Sequence, residues 1–500
     1  MVQMRGLSQE LQDWQKTIRA KAVQYGLDFY EVVFEMVEPD EVNEIAALGG
    51  FPQRYPHWRF GMEYDRLSKS YAYGLSKIYE MVINTDPCYA YLLSSNATAE
   101  QKLVMAHVYG HADFFKHNAY FAHTNRKMID EMANHAMRVR HYQDLHGVDR
   151  VEEFIDACLS LDNLVDLHAP GIRRVPSEET KREEARHAAE LKAEKKAQTN
   201  SYLDKFVNPK EHQDSERKKA EEISQAPKRF PEYPTPDVLG FILEHSPLES
   251  WQQDCLSIIR NEAAYFAPQA QTKIMNEGWA SYWHSKLMTE HFLTDAEIID
   301  YADVHSGTMA TPPGGFNPYK IGIELYRDIE ERWNRGQFGK EWEECDDYAA
   351  RTHWDKKLGL GREKIFSVRA LYNDVTFIDT FLTEDFCRRH KLFTFAHNAR
   401  TGEDEVESVD FPQIKARLLQ QLTNFGQPRI EITEANYLNR GELLLMHRHD
   451  GRDLRADYAE HTLKNLGFLW KRPVHIETLA EGKVVRWSYD GKQFTKTVAE

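Results

Sequence analysis

Apolar positions open the chain at helical spacing. After Ser8, the residues Leu11, Trp14, Ile18, Ala22 and Val23 repeat every three to four positions, which predicts an amphipathic helix over residues 8 to 25. Residues 28 to 48 predict a second helix. The stretch FPQRYPHWRFG, 51 to 61, is rich in proline, glycine and aromatics and reads as an ordered loop, with helix returning near Tyr64 to Tyr71. Tyr79 to Asn84 and Tyr89 to Leu93 are strand-like on either side of the turn Thr85-Asp86-Pro87. Thr98, with Gln101 three residues on, marks the start of a strong helix. Residues 235 to 305 and 322 to 335 read as helical, 311 to 322 (TPPGGFNPYKIG) as a loop, and 365 to 380 as apolar and partly β-prone. Near the end, Arg429 to Glu434 and Gly441 to His449 alternate as strands and Leu454 to Leu469 is amphipathic. Val474 to Ala480 and Val484 to Tyr489 form a hairpin across Glu481-Gly482.

One segment breaks the pattern. RRVPSEETKREEARHAAELKAEKKAQ, inside residues 172 to 224, is nearly all charged, Ala or Gln and cannot bury enough surface to form a core. It reads as a solvated helix or linker, and it accounts for the charged fraction of 28% and mean hydropathy of −0.65 in a chain with 41% hydrophobic residues. At 500 residues the chain is too long for one ordinary core. A net charge of −16 argues against general nucleic-acid binding, which needs a basic face. The five cysteines are scattered without a CxxC pair, which excludes a zinc ribbon and suits a reducing compartment. The polar start, Met1 to Trp14, has no leader-like apolar run, and no stretch approaches the ~20 apolar residues of a membrane span. These features together predict a cytoplasmic location.

The chemistry concentrates in His107-Val108-Tyr109-Gly110-His111. Two histidines four apart on a helix lie on one face, about one turn apart, and can converge on one ion. HExxH metalloproteases use this spacing, with the Glu after the first His as general base; here that position is Val108. Far downstream, Asn276-Glu277-Gly278-Trp279-Ala280-Ser281-Tyr282 reads as a helix and resembles the NEG-aromatic-A-S-Y helix of glutamate zincins such as the zinc aminopeptidases. That resemblance implies Glu277 as third ligand, beside His107 and His111, for Zn2+. The other reading is a buried carboxylate paired to an arginine such as Arg260. With Val108 at the base position, a base would come from elsewhere: Glu262 first, or Glu80 or Asp113. His284, seven residues after Glu277, offers a fourth ligand or a transition-state stabiliser, and Tyr109 or Tyr282 could polarise a carbonyl. His117 and His123 fall off the shared face. The YPHW loop (55 to 58) and the MHRHDGRD turn (446 to 453) read as packed or solvated turns ahead of any binding role.

The segments YPHWRFG, NTDPCYAYLLSSN, VMAHVYGHADFFKHN, IMNEGWASYWHS, NPYKIG and ANYLNRGELLLMHRHDG resemble the stage V sporulation protein R (SpoVR) family along nearly the whole chain. The resemblance implies a role in spore cortex formation, a peptidoglycan process, or in a cell-wall-related stress response. It supplies no mechanism. The fold expected is mainly α with α+β elements: a zincin-like helical core with short strands and a small C-terminal α/β domain. The expected spans are 1–171 (the His helix), 172–224 (linker), 225–415 (the NEGWASY helix) and 425–500. Two functions remain open. One is a zinc-dependent amide or peptide hydrolase acting on a peptidoglycan precursor or peptide. The other is a non-catalytic regulatory or scaffold protein that binds protein partners through a degenerate zincin-like core.

Overall fold

A computed structural model describes residues 6–72, 80–166, 168, 230–311, 316–398 and 403–498. The expected linker at 172 to 224 lies outside the described residues. The chain is mainly helical with small sheets, and it divides into two compact units: Met1–Asp156 with Ser250–Gln427, and Ala157–Glu249 with Pro428–Glu500.

The first unit opens with helix Gln9–Gln24, whose N-cap Ser8 accepts from Leu11 N–H. Residues 28 to 48 are not one helix. Strand β1, Val32–Val37, comes first, because the β-branched residues of VVFEMV fit a pleated, half-buried surface and pair along Cys88–Leu93. Pro39 then starts helix Pro39–Ala47, and the Glu41 carboxylate accepts the Glu38 N–H. Helix Trp58–Ala72 begins inside the expected loop. Strands β2, Glu80–Ile83, and β3, Cys88–Leu93, complete a three-stranded sheet in the order β1-β3-β2, with β1 parallel and β2 antiparallel to β3.

Helix Thr98–His117 follows directly. Its capping differs from the Thr98/Gln101 expectation: Glu100 accepts the Ala97 N–H, while Gln101 turns back and donates to Leu93 O. Residues 365 to 380 form two helices, Gly361–Leu371 and Asp374–Phe381, divided where Asn373 caps the second. Ile365 and Val368 on the first, and Phe377, Ile378 and Phe381 on the second, fall three or four positions apart on one face and are buried. Helix Pro318–Arg335 starts within the expected 311 to 322 loop, with Asn317 as its N-cap. A two-stranded ladder that the pattern did not predict, β4 (Thr394–Asn398) and β5 (Glu403–Ser408), follows.

The second unit carries a five-stranded sheet in the order β10-β9-β8-β7-β6, from β6 (Ile430–Tyr437), β7 (Glu442–His447), β8 (Val474–Ala480), β9 (Lys483–Tyr489) and β10 (Phe494–Val498). Helix Ala456–Trp470 links β7 to its parallel neighbour β8. Helix Val238–His245 belongs to the same unit, and its C-cap Ser246 donates to Leu469 O. Among the described residues, no helix is long and apolar enough to cross a membrane.

Candidate metal centre

Three helices of the first unit build the site, and small residues let them approach. On helix Thr98–His117, a Cβ at Gly110 would lie 2.7 Å from the Ala280 Cα, so this helix meets Lys273–Leu287 backbone to backbone. On the other side, a Cβ at Gly278 would lie 2.4 Å from Gly322, which seats helix Pro318–Arg335 equally close. The glycines of HVYGH, NEGW and YKIG are therefore contact points between helices.

Buried polar groups fix the crossing. Asp113, fully buried, accepts from Trp279 Nε1 at 2.8 Å, Arg369 at 2.6 Å and the Asp28 N–H at 2.9 Å. Asp374 accepts the Ile274 and Met275 N–H groups at 2.8 and 2.9 Å, capping the Glu277 helix from a helix 100 residues away. Burial pushes the Asp374 carboxyl up to about 7.

At the crossing, one ligand-type atom from each of His107, His111 and Glu277 lies within 4.8 Å of the other two. Glu277 Oε2 is 3.4 Å from His107 Nε2 and 3.5 Å from His111 Nε2. These separations exceed a normal N–H···O distance of about 2.7–3.2 Å, and Glu277 Oε2 is buried without a hydrogen-bond partner. Ligand atoms about 2.0–2.2 Å from a tetrahedral metal stand about 3.3–3.6 Å apart, so both separations match tetrahedral edges. Burial pushes the Glu277 carboxyl up, but the adjacent His111 and His107 imidazoles outweigh it and hold the group well below the usual carboxylate range. Among the described residues, the ion pairs of Glu277 are with these two imidazoles.

Each histidine is held from behind. His107 Nδ1 lies 2.8 Å from His284 Nδ1, and His111 Nδ1 lies 2.8 Å from Asn276 Oδ1. His284 Nε2 continues to His305 Nδ1 at 3.3 Å. Burial, with His107, His305 and Arg327 nearby, keeps the His284 pKa well below its ordinary value.

The remaining sequence-derived residues sit elsewhere. Glu262 is buried in an ion-pair cluster with Arg54 and with His135 Nδ1 at 3.1 Å. Tyr282 donates to Glu330 Oε2 at 2.5 Å, and burial raises its phenol pKa. His284 stands behind His107. Val108 is fully buried in the core, and Tyr109 packs against Phe29 and Phe34. Asp113 is committed to Arg369, and His117 bonds to Asp28. In the YPHW segment His57 and Trp58 both reach Asp156. In the C-terminal turn His447 bonds to Thr478 and His449 to Asp453. The residues that sequence reasoning missed are Asn276, His305 and Asp374. Asn276 adjoins Glu277 in NEG and so carried a signal; His305 and Asp374 carried none, being isolated residues far along the chain.

Comparison with known proteins covers both units. Residues 7–427 match the family model described as SpoVR like protein, and residues 428–481 match SpoVR-like C-terminal domain. A relative from Escherichia coli (strain K12), Uncharacterized protein YcgB, is 29% identical over 484 residues, covering 91% of this chain and 88% of the relative. No solved structure matches the chain.

Proposed function

The chain belongs to the SpoVR family, and from that premise we propose that it is a metal protein that holds a divalent ion, zinc foremost, on His107, His111 and Glu277. The observation that carries the reading is Glu277 Oε2, a buried acceptor without a hydrogen-bond partner, set at tetrahedral edge distances from two imidazole nitrogens. Two nitrogens and one carboxylate oxygen form a donor set typical of catalytic zinc, which keeps one coordination position for water or substrate. A bound ion would supply Lewis acidity and an activated water for hydrolysis of an amide or peptide bond. His107, His111 and Glu277 would hold it, and Asn276 and His284 would orient the two imidazoles. The family's name then points to the cortex or another cell-wall process as the setting, with a peptidoglycan precursor or peptide as substrate and a cytoplasmic location.

Val108 favours a second reading. Its apolar side chain, buried at the base position, offers no proton acceptor. Among the described residues, the cluster holds no second carboxylate. A zincin-like core that binds zinc without hydrolysis would serve a regulatory or scaffold protein. Metal analysis of purified protein tests the shared premise. About one zinc per chain, lost in His111→Ala and in Glu277→Ala, supports the site; wild type without stoichiometric zinc, or His111→Ala with unchanged zinc, refutes it. Complementation of a SpoVR-deficient spore former then divides the readings. Failure of a folded His107→Ala/His111→Ala chain supports a working metal centre, and full complementation by it supports the scaffold.

A further inference from the structure

We infer that His284, backed by His305, is a positioning residue that fixes the tautomer of His107, so that His107 presents its Nε2 lone pair to an ion held between it and Glu277. The inference rests on the metal-site reading and deepens it. With two imidazole Nδ1 atoms 2.8 Å apart, one carries the proton and the other accepts it. If His107 Nε2 faces the ion, His107 Nδ1–H is the donor and His284 Nδ1 the acceptor. His284 then carries its own proton on Nε2 and points it at His305 Nδ1, 3.3 Å away. Every donor in the row therefore runs outward from the site. A cationic His284 would set two N–H donors face to face across the 2.8 Å Nδ1–Nδ1 contact, so the geometry calls for a neutral ring that accepts there. His305 is itself held flat against the Tyr301 ring, with centroids 5.5 Å apart and planes 13° apart.

This support differs from the carboxylate that often backs a metal-bound histidine. A neutral imidazole behind His107 and a neutral amide behind His111 add no negative charge. A dication with Glu277 as its one anionic ligand would keep a net charge of +1, and the ion would be a stronger Lewis acid than one backed by aspartate.

Two substitutions separate acceptor chemistry from bulk. In His284→Asn the amide oxygen stands near the place of Nδ1 and preserves the acceptor; His284→Leu fills the space without one. Zinc affinity is read by competition with a chromophoric chelator, and the His107 tautomer by long-range 1H–15N NMR of the zinc-loaded wild type. The expected result is a ~10–100-fold loss of zinc affinity in His284→Leu, a loss several-fold smaller in His284→Asn, and a proton on His107 Nδ1. Equal affinity in His284→Leu and wild type, equal losses in both variants, or a His107 proton on Nε2 overturns the inference while leaving the metal site standing. Wild type that binds no zinc overturns both. The NMR reading decides the matter even if His284→Leu fails to fold.

Discussion

Gly110→Ala tests how the helix crossing governs the site. The added Cβ would stand 2.7 Å from Ala280 Cα and 3.2 Å from Ala280 Cβ. Carbon atoms pack at about 3.5–4.0 Å, so the two helices must separate by about 1 Å. Such overpacking costs about 1–3 kcal/mol, against which alanine's better helix propensity returns about 1 kcal/mol. The net is a loss of about 0–2 kcal/mol. The geometry is less forgiving. Metal–ligand distances tolerate about 0.2 Å, and the same displacement would carry the 3.4 and 3.5 Å separations past the tetrahedral range. Zinc affinity should fall at least ~10-fold, equivalent to about 1.4 kcal/mol, with little loss of fold. The assay pairs chelator competition with chemical denaturation and includes Gly61→Ala as the control. Gly61 lies on helix Trp58–Ala72, and a Cβ there meets nothing within 4 Å. That control should gain about 0.5–1 kcal/mol and keep wild-type zinc affinity. Wild-type zinc affinity in Gly110→Ala, together with a gain in stability like that of Gly61→Ala, would refute the argument that backbone contact sets the ligand spacing.

Glu262→Gln should cost about 3–5 kcal/mol, because the Arg54 charge stays buried without its anion, and should leave zinc stoichiometry intact; loss of zinc in a folded variant would show that this cluster is coupled to the site. Asp374→Ala orphans the Ile274 and Met275 N–H groups, at about 1–3 kcal/mol each, and should lower both stability and zinc affinity; an unaffected denaturation midpoint would contradict the capping role. Burial lowers the pKa of His57, His390, His447 and His475 from the ordinary 6.5. Below pH ~6.5 the unfolded chain takes up protons that these folded side chains refuse, so unfolding free energy should decline as pH falls through and below that value. A flat profile between pH 5 and 8 would count against their burial as neutral rings.

Much of this was written in local spacing. The interval between His107 and His111 fixes a shared face on any helix, and the NEG motif carried Glu277 by resemblance. The hairpin of β8 and β9 was legible because Glu481-Gly482 interrupts two alternating runs. The failures share a cause. Residues 28 to 48 contain a strand because β3 is there to pair with VVFEMV, and residues 365 to 380 are helical because a core surrounds Phe377 and Ile378 on one face. Both outcomes depend on partners distant in sequence. The support behind the ligands was hidden for the same reason: His284 meets His107 across 177 positions, and Asp374 shows its role only once the Glu277 helix lies over it.

The cap at Asp374 also bears on the order of events during synthesis. The His107/His111 helix leaves the ribosome long before Glu277, and even Glu277 does not complete the assembly. The N–H groups that begin its helix wait for a carboxylate 100 positions downstream. Asp113 likewise waits for Arg369, and Asn118 donates to the backbone of Arg369 and Tyr372. At about 5–20 residues per second that delay is on the order of 5–20 s. A nascent chain halted before residue 369 would carry all three ligand side chains without the lock that brings them together, so such a chain should not capture the ion prematurely.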